Sequence, residues 1–109
     1  MLYFRAKKNR IKKIVKNYVN ILEQADFPVE QAYLYGSYAK GTADKNSDID
    51  VGIISKKFNY MDDQIIALLW NKIRDVDYRI EPHGFTPEDF QDECDPMVHE
   101  IKETGIRIV

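Results

Sequence analysis

The chain has 109 residues, 44% hydrophobic and 31% charged, a balance that suits one soluble globular domain spanning 1–109 and excludes a disordered chain. A formal net charge of −2 gives no overall basic field, so a nucleic-acid partner is not expected. A single cysteine, Cys94, excludes an internal disulfide and fits a reducing, cytoplasmic setting, and no apolar run is long enough for a secretory leader or a membrane span.

From about Phe4 to Ala25 the apolar residues Ile11, Ile14, Val15, Tyr18, Ile21, Leu22 and Ala25 recur at helical spacing. Lys12, Lys13 and Lys16 fall on the opposite side, and Arg5, Lys7, Lys8 and Arg10 extend a basic, solvated face. Asp26-Phe27-Pro28 ends this helix, because the residue before a proline avoids the α region. A short aromatic strand, Ala32-Tyr33-Leu34-Tyr35, runs into G-S-Y-A-K-G at 36–41, then the polar loop 42–46. A β-branched strand from Ile49 to Ile54 follows. The two strands are too close for a long crossover and are expected to be antiparallel.

Lys56 to Tyr60 reads as a connection. The next helix buries Met61, Ile65, Ile66, Leu68, Leu69 and Ile73, with Trp70 assigned to the core. Asp62 and Asp63 suit its first turn, Lys72 and Arg74 its last. A strand is expected at Val76 to Ile80, with Asp77, Arg79 and Glu81 on one face. Pro82-His83-Gly84-Phe85 reads as a turn. Thr86-Pro87-Glu88-Asp89 reads as a helix start and Asp95-Pro96 as a second. Gly105 ends that helix, and Ile106 to Val109 forms an edge strand. This order predicts an α/β (α+β) fold, a mixed sheet with helices packed on it.

The chemistry concentrates at Gly36 to Val51. Residues alternate faces along a strand, so Asp48 and Asp50 point one way and Ile49 and Val51 the other. Two carboxylates about 5 Å apart repel by roughly 3 kcal/mol at an effective dielectric of about 20. A hard divalent cation removes that cost and also prefers phosphate oxygens. Gly36 and Gly41 let backbone N–H groups approach an anion, while Ser37 adds a hydroxyl and Lys40 a positive charge. A calcium loop is excluded, since its required glycine would fall at Ile49 and its closing glutamate at Ser55. A P-loop is excluded because Thr42, not lysine, follows Gly41. Read alone, the D-x-D pair is better explained as a solvated edge-strand pair and the glycines as an ordinary turn.

Taken together, G-S-Y-A-K-G and S-D-I-D-V resemble the signature of the DNA polymerase beta-like nucleotidyltransferase superfamily in its minimal form. The resemblance spans roughly Ile11 to Ile108. It implies that fold's palm core, with Gly36, Ser37, Lys40 and Ser47 binding the nucleotide. Asp48, Asp50 and Asp77 would hold metal and act in catalysis, with Glu81 in reserve as the third carboxylate and Arg79 or His83 as further candidates. Lys40 stands where arginine is frequent, keeping the charge but losing the bidentate fork. The implied cofactors are two Mg²⁺ ions and the implied substrate a nucleoside triphosphate, ATP foremost. The implied activity is transfer of AMP to a hydroxyl, such as a tyrosine of a HEPN-domain partner in an antitoxin role. The alternative is a binding module that neutralises such a partner by contact. Self-association is a further partner expectation, and no membrane partner is implied.

Overall fold

The computed structural model describes residues 2–59 and 62–109, leaving aside the side chains of 2–6 and 59. In chain order these form α1 (Leu2–Gln24), β1 (Gln31–Tyr35), α2 (Ser37–Lys40), β2 (Ile49–Ile54), α3 (Asp63–Ile73), β3 (Ile80–Phe85), α4 (Pro96–Thr104) and β4 (Ile106–Arg107). Short 3₁₀ turns lie at Lys56–Asn59 and Asp89–Gln91. The strands make one mixed sheet in the order β3-β2-β1-β4. β1 runs antiparallel to β2 and β4, and β2 parallel to β3 across the α3 crossover.

Alternation along the strands sorts the two faces. Ala32, Leu34, Ile49, Val51, Ile53 and Ile80 are almost wholly buried and pack with Ile11, Val15, Tyr18, Val19 and Leu22 of α1 and Leu69 and Ile73 of α3. The Tyr18 hydroxyl donates to the Leu69 carbonyl at 2.8 Å, tying α1 to α3. On the other face Tyr35, Ile54 and Phe85 pack under Val98 and Ile101 of α4. That second cluster is smaller, and it leaves the end of the face around Asp50 to polar groups.

Local signals account for the ends of the helices. Asp26 takes φ 63, and the Phe27 N–H reaches back to the Leu22 carbonyl at 3.0 Å. This left-handed step drops Phe27 into the core. Asp62 caps α3 through the Gln64 N–H, and Asp95 caps α4 through the Met97 N–H with Pro96 at the first helical position. Gly105 follows α4.

Four sequence expectations require correction. The strand expected at Val76 to Ile80 begins only at Ile80. Before it, Val76 and Asp77 donate to the Ile73 carbonyl and Ile80 to that of Asp77, so the α3 exit continues as turns. The Pro82-to-Phe85 segment expected as a turn is strand. β3 is an edge strand, where a proline need not donate to a neighbour. Trp70 is 46% exposed and Ile66 41%, so the apolar stripe of α3 is narrower than its composition suggests. Finally, Thr86 and Asp89 form a reciprocal capping box, but only the 3₁₀ turn follows it. Met61 and the side chain of Arg5 lie outside the described residues. No helix among the described residues is long and apolar enough to cross a membrane.

Candidate functional site

The site begins where β1 turns into α2. Gly36 takes φ 74, ψ −150, a region essentially reserved for glycine, and a Cβ there would overlap Oδ2 of Asp50. The backbone therefore lies directly against the carboxylate. Ser37 opens α2, whose first N–H groups have no partner within the helix. Gly41 closes it at φ 80, ψ 17, with its N–H on the Ser37 carbonyl.

Asp48 is exposed immediately before β2, and Asp50 is half-buried within it. Ile49 and Val51 between and after them are fully buried on the opposite face. Asp50 thus faces away from that core, and Asp48 lies near enough for its charge to act on the Asp50 carboxyl. Asp50 pairs in register with Tyr35 of β1 on one side and with Glu81 of β3 on the other. Burial first, then the negative charges of Glu81, Asp48 and Glu100, push the Asp50 carboxyl up from 3.8 to about 6, and a hydrogen bond with Glu81 adds to this. Tyr35 is buried beneath, its hydroxyl on Sδ of Met97 at 3.4 Å. Burial and the charges of Asp50, Glu81 and Glu100 push its phenol well above the ordinary value.

Glu81, held in reserve by the sequence reading, is therefore the carboxylate beside Asp50. His83 lies two residues on, on the same face, and ligand atoms of Asp50, Glu81 and His83 all lie within 4.8 Å of one another. The signal in the sequence was the i, i+2 spacing of Glu81 and His83, masked by the intervening Pro82.

Asp77 does not lie on a strand. It sits in the turn before β3, where its Oδ1 accepts from the Arg79 backbone N–H at 2.9 Å and Nε at 3.0 Å, and its Oδ2 from Nη2 at 2.8 Å. Those bonds hold its carboxyl below the usual range. Nη1 of Arg79 donates to the Tyr38 hydroxyl at 3.1 Å, which donates to the Asp44 carbonyl at 3.0 Å. Asp77 thus anchors a chain of bonds joining the β3 turn, α2 and the 42–48 loop. Ser47 closes that loop, its Oγ accepting from the Asp44 N–H at 3.0 Å. Lys40 donates to Oε1 of Glu100 on α4 at 2.8 Å.

The donor set suits a divalent cation. Asp50 and Glu81 offer hard oxygen atoms side by side, with the charge of Asp48 also felt by Asp50, and a cation would relieve their repulsion. Lys40 is engaged by Glu100 and Arg79 by Asp77. Among the described residues no lysine or arginine forms a salt bridge with Asp48, Asp50 or Glu81.

A family model described as a nucleotidyltransferase domain matches residues 8–108. No curated protein matches the chain. Among solved structures, the fold resembles a candidate nucleotidyltransferase from Sulfolobus solfataricus, with TM-score 0.64 at 20% identity over 95% of this chain and 84% of that one. A toxin–antitoxin structure with AMP-PNP gives TM-score 0.62 at 21% identity, covering 85% of this chain and 71% of that one. A mutant form of the toxin–antitoxin MntA–HpeT gives 0.54 at 18% identity, covering 94% and 72%.

Proposed function

The chain belongs to the nucleotidyltransferase-domain family, and we propose that it transfers a nucleoside monophosphate, AMP foremost, from a triphosphate to a hydroxyl acceptor, releasing pyrophosphate. The observation that carries this reading is the register of Asp50 with Glu81, beneath a glycine whose missing Cβ makes room for the Asp50 carboxylate. Asp48, Asp50 and Glu81 would hold two divalent cations, Mg²⁺ being the usual choice for triphosphate. Glu81 takes the third place that the sequence reading gave to Asp77. The bound cations supply charge neutralisation on the triphosphate and a lowered pKa of the acceptor hydroxyl.

The chain's own residues then divide the work. Backbone N–H groups and the hydroxyl of Ser37, next to Gly36, grip the non-transferred phosphates. Lys40 leaves Glu100 to add its charge there. Ser47 shapes the loop that carries Asp48, and its contribution to nucleotide binding is through that loop. The acceptor oxygen bonds to the α-phosphorus as the bond to pyrophosphate breaks, and a Glu81 carboxylate oxygen receives the acceptor's proton. Asp77 positions Arg79, Tyr38 and the Asp48 loop without touching the reacting groups.

Two toxin–antitoxin structures among the fold's neighbours are in line with a protein partner, with this chain as the antitoxin; a tyrosine of a HEPN-type protein as the acceptor is proposed from the resemblance alone. Cys94, free and exposed, fits a cytoplasmic setting. The test is turnover of α-labelled ATP in the presence of Mg²⁺. Label transfer with stoichiometric pyrophosphate, abolished in Asp50→Asn, is the expected result. Transfer that survives in Asp50→Asn overturns the reading. The second reading is neutralisation of a partner by contact, favoured by the exposure of Trp70 and Ile66 on α3. An Asp48→Asn/Asp50→Asn double variant that still neutralises the toxin selects it.

A further inference from the structure

We infer that His83 is a ligand in the cation site shared by Asp50 and Glu81, giving that site a nitrogen donor and a preference for Mn²⁺-class transition ions over Mg²⁺. This rests on the metal-dependent reading above and deepens it. Three features of the fold carry it.

The first is register. Glu81 and His83 project from the same face of β3, and the β2 residue level with His83 is Gly52. With no side chain at Gly52, nothing on β2 stands between the imidazole and Asp50. The second is distance. Metal–ligand bonds of about 2.0–2.2 Å place two ligand atoms of one ion at most about 4.4 Å apart. The donor atoms of Asp50, Glu81 and His83 already lie within 4.8 Å, so a closing of a few tenths of an ångström assembles the set. The third is that this imidazole packs against buried Tyr35 and meets Glu81 at ion-pair distance only, with no hydrogen bond to lose. Its ring centroid is 6.1 Å from that of buried Tyr35, and its Nε2 is 3.6 Å from Oε1 of Glu81, beyond hydrogen-bond range.

Two carboxylates and an imidazole are a donor set of borderline character. Mg²⁺ favours oxygen ligands and retains its waters, whereas imidazole suits transition ions. Selectivity follows from the ligand His83 adds, since the oxygen ligands serve both classes.

Pulsed EPR of bound Mn²⁺ reads the bond directly. The full chain is loaded with Mn²⁺ and tripolyphosphate, which contributes no nitrogen. Nitrogen hyperfine modulation is expected in the wild type and in His99→Gln, and the modulation should change to the ¹⁵N pattern when histidine is ¹⁵N-labelled. It should vanish in His83→Gln and His83→Asn. Mn²⁺ affinity in those variants should fall roughly tenfold or more, the scale seen when groups around a metal site are removed, with Mg²⁺ affinity nearly unchanged. The ¹⁵N-histidine-labelled His99→Gln chain, whose single histidine is His83, keeps the test valid if the His83 variants fold poorly. Mn²⁺ bound without nitrogen modulation, or modulation that persists without His83, overturns the inference and leaves the oxygen site standing. Failure of Mn²⁺ and Mg²⁺ to bind at all overturns the metal-dependent reading with it.

Discussion

Gly36 and Asp50 pack so closely that a Cβ at position 36 would overlap Oδ2 of Asp50, so any side chain there would displace the carboxylate. Gly36→Ala adds a second cost, since φ 74, ψ −150 is strained for any other residue by roughly 1–3 kcal/mol. The variant is expected to lose that stability in denaturant unfolding and to lose nucleotide transfer. Gly41→Ala meets no atom within 4 Å at its Cβ and bears only the cost of its left-handed φ. It should keep far more activity than Gly36→Ala.

The Asp50 carboxyl titrates near 6 in the folded chain, above its ordinary 3.8. Folding therefore takes up a proton between those values, so this group's contribution is most favourable below the ordinary value and is lost as pH rises through about 6. Half-burial screens the effect to roughly 1 kcal/mol. With EDTA present, the Tm of the wild type should fall by a few degrees as pH rises across this window, and Asp50→Asn should remove that fall. Adding Mg²⁺ above the window should restore the wild-type Tm only. Asp77 has the opposite sign: its lowered pKa gives stability that is lost only as pH falls below the ordinary carboxylate range.

Asp77 serves Arg79, so its removal should act on stability first. Asp77→Ala leaves a partly buried guanidinium with no carboxylate partner and frees the β3 turn, an expected loss of about 1–3 kcal/mol. Divalent-cation affinity by calorimetry should change by less than about threefold in the milder Asp77→Asn, whereas Glu81→Gln should weaken it about tenfold or more while leaving the fold intact.

Much of the fold was legible because periodicity, caps and turn residues agreed. The α1 stripe, the antiparallel β1–β2 pair, the Asp95-Pro96 start of α4 and the edge position of β4 all follow from local chemistry. The geometry around the candidate site was legible where the motif is contiguous, in the contact of Gly36 with Asp50 that joins the turn to β2. It was not legible at β3, because the alternation of Val76 to Ile80 imitates a strand and Pro82 imitates a stop. Only tertiary placement decides those points: the α3 exit takes up Val76 and Asp77 as turns, and the sheet edge tolerates the proline. The environment of Trp70 likewise depends on how α3 is rotated against α1, which spacing along one helix cannot fix.

Trp70 therefore gives a clean contrast with its neighbour. Leu69 is 4% exposed, and Leu69→Ala should cost about 2–5 kcal/mol. Trp70→Ala should cost less than about 1 kcal/mol in the isolated chain, as surface substitutions generally do, although tryptophan is the larger residue. Denaturant unfolding of both variants decides the matter. If Trp70 belongs to a partner interface, its loss should weaken binding of that partner with unfolding unchanged.

In the proposed reaction, Asp48, Asp50 and Glu81 hold cations beneath the Gly36–Ser37 turn, and those cations hold the triphosphate. Calorimetric titration with a non-hydrolysable ATP analogue, with and without Mg²⁺, tests it most directly. Binding should require the cation, weaken at least about tenfold in Asp50→Asn and Glu81→Gln, and persist in Asp77→Asn. Cation-independent binding, or binding that survives in Glu81→Gln and fails in folded Asp77→Asn, would rule out this cation site.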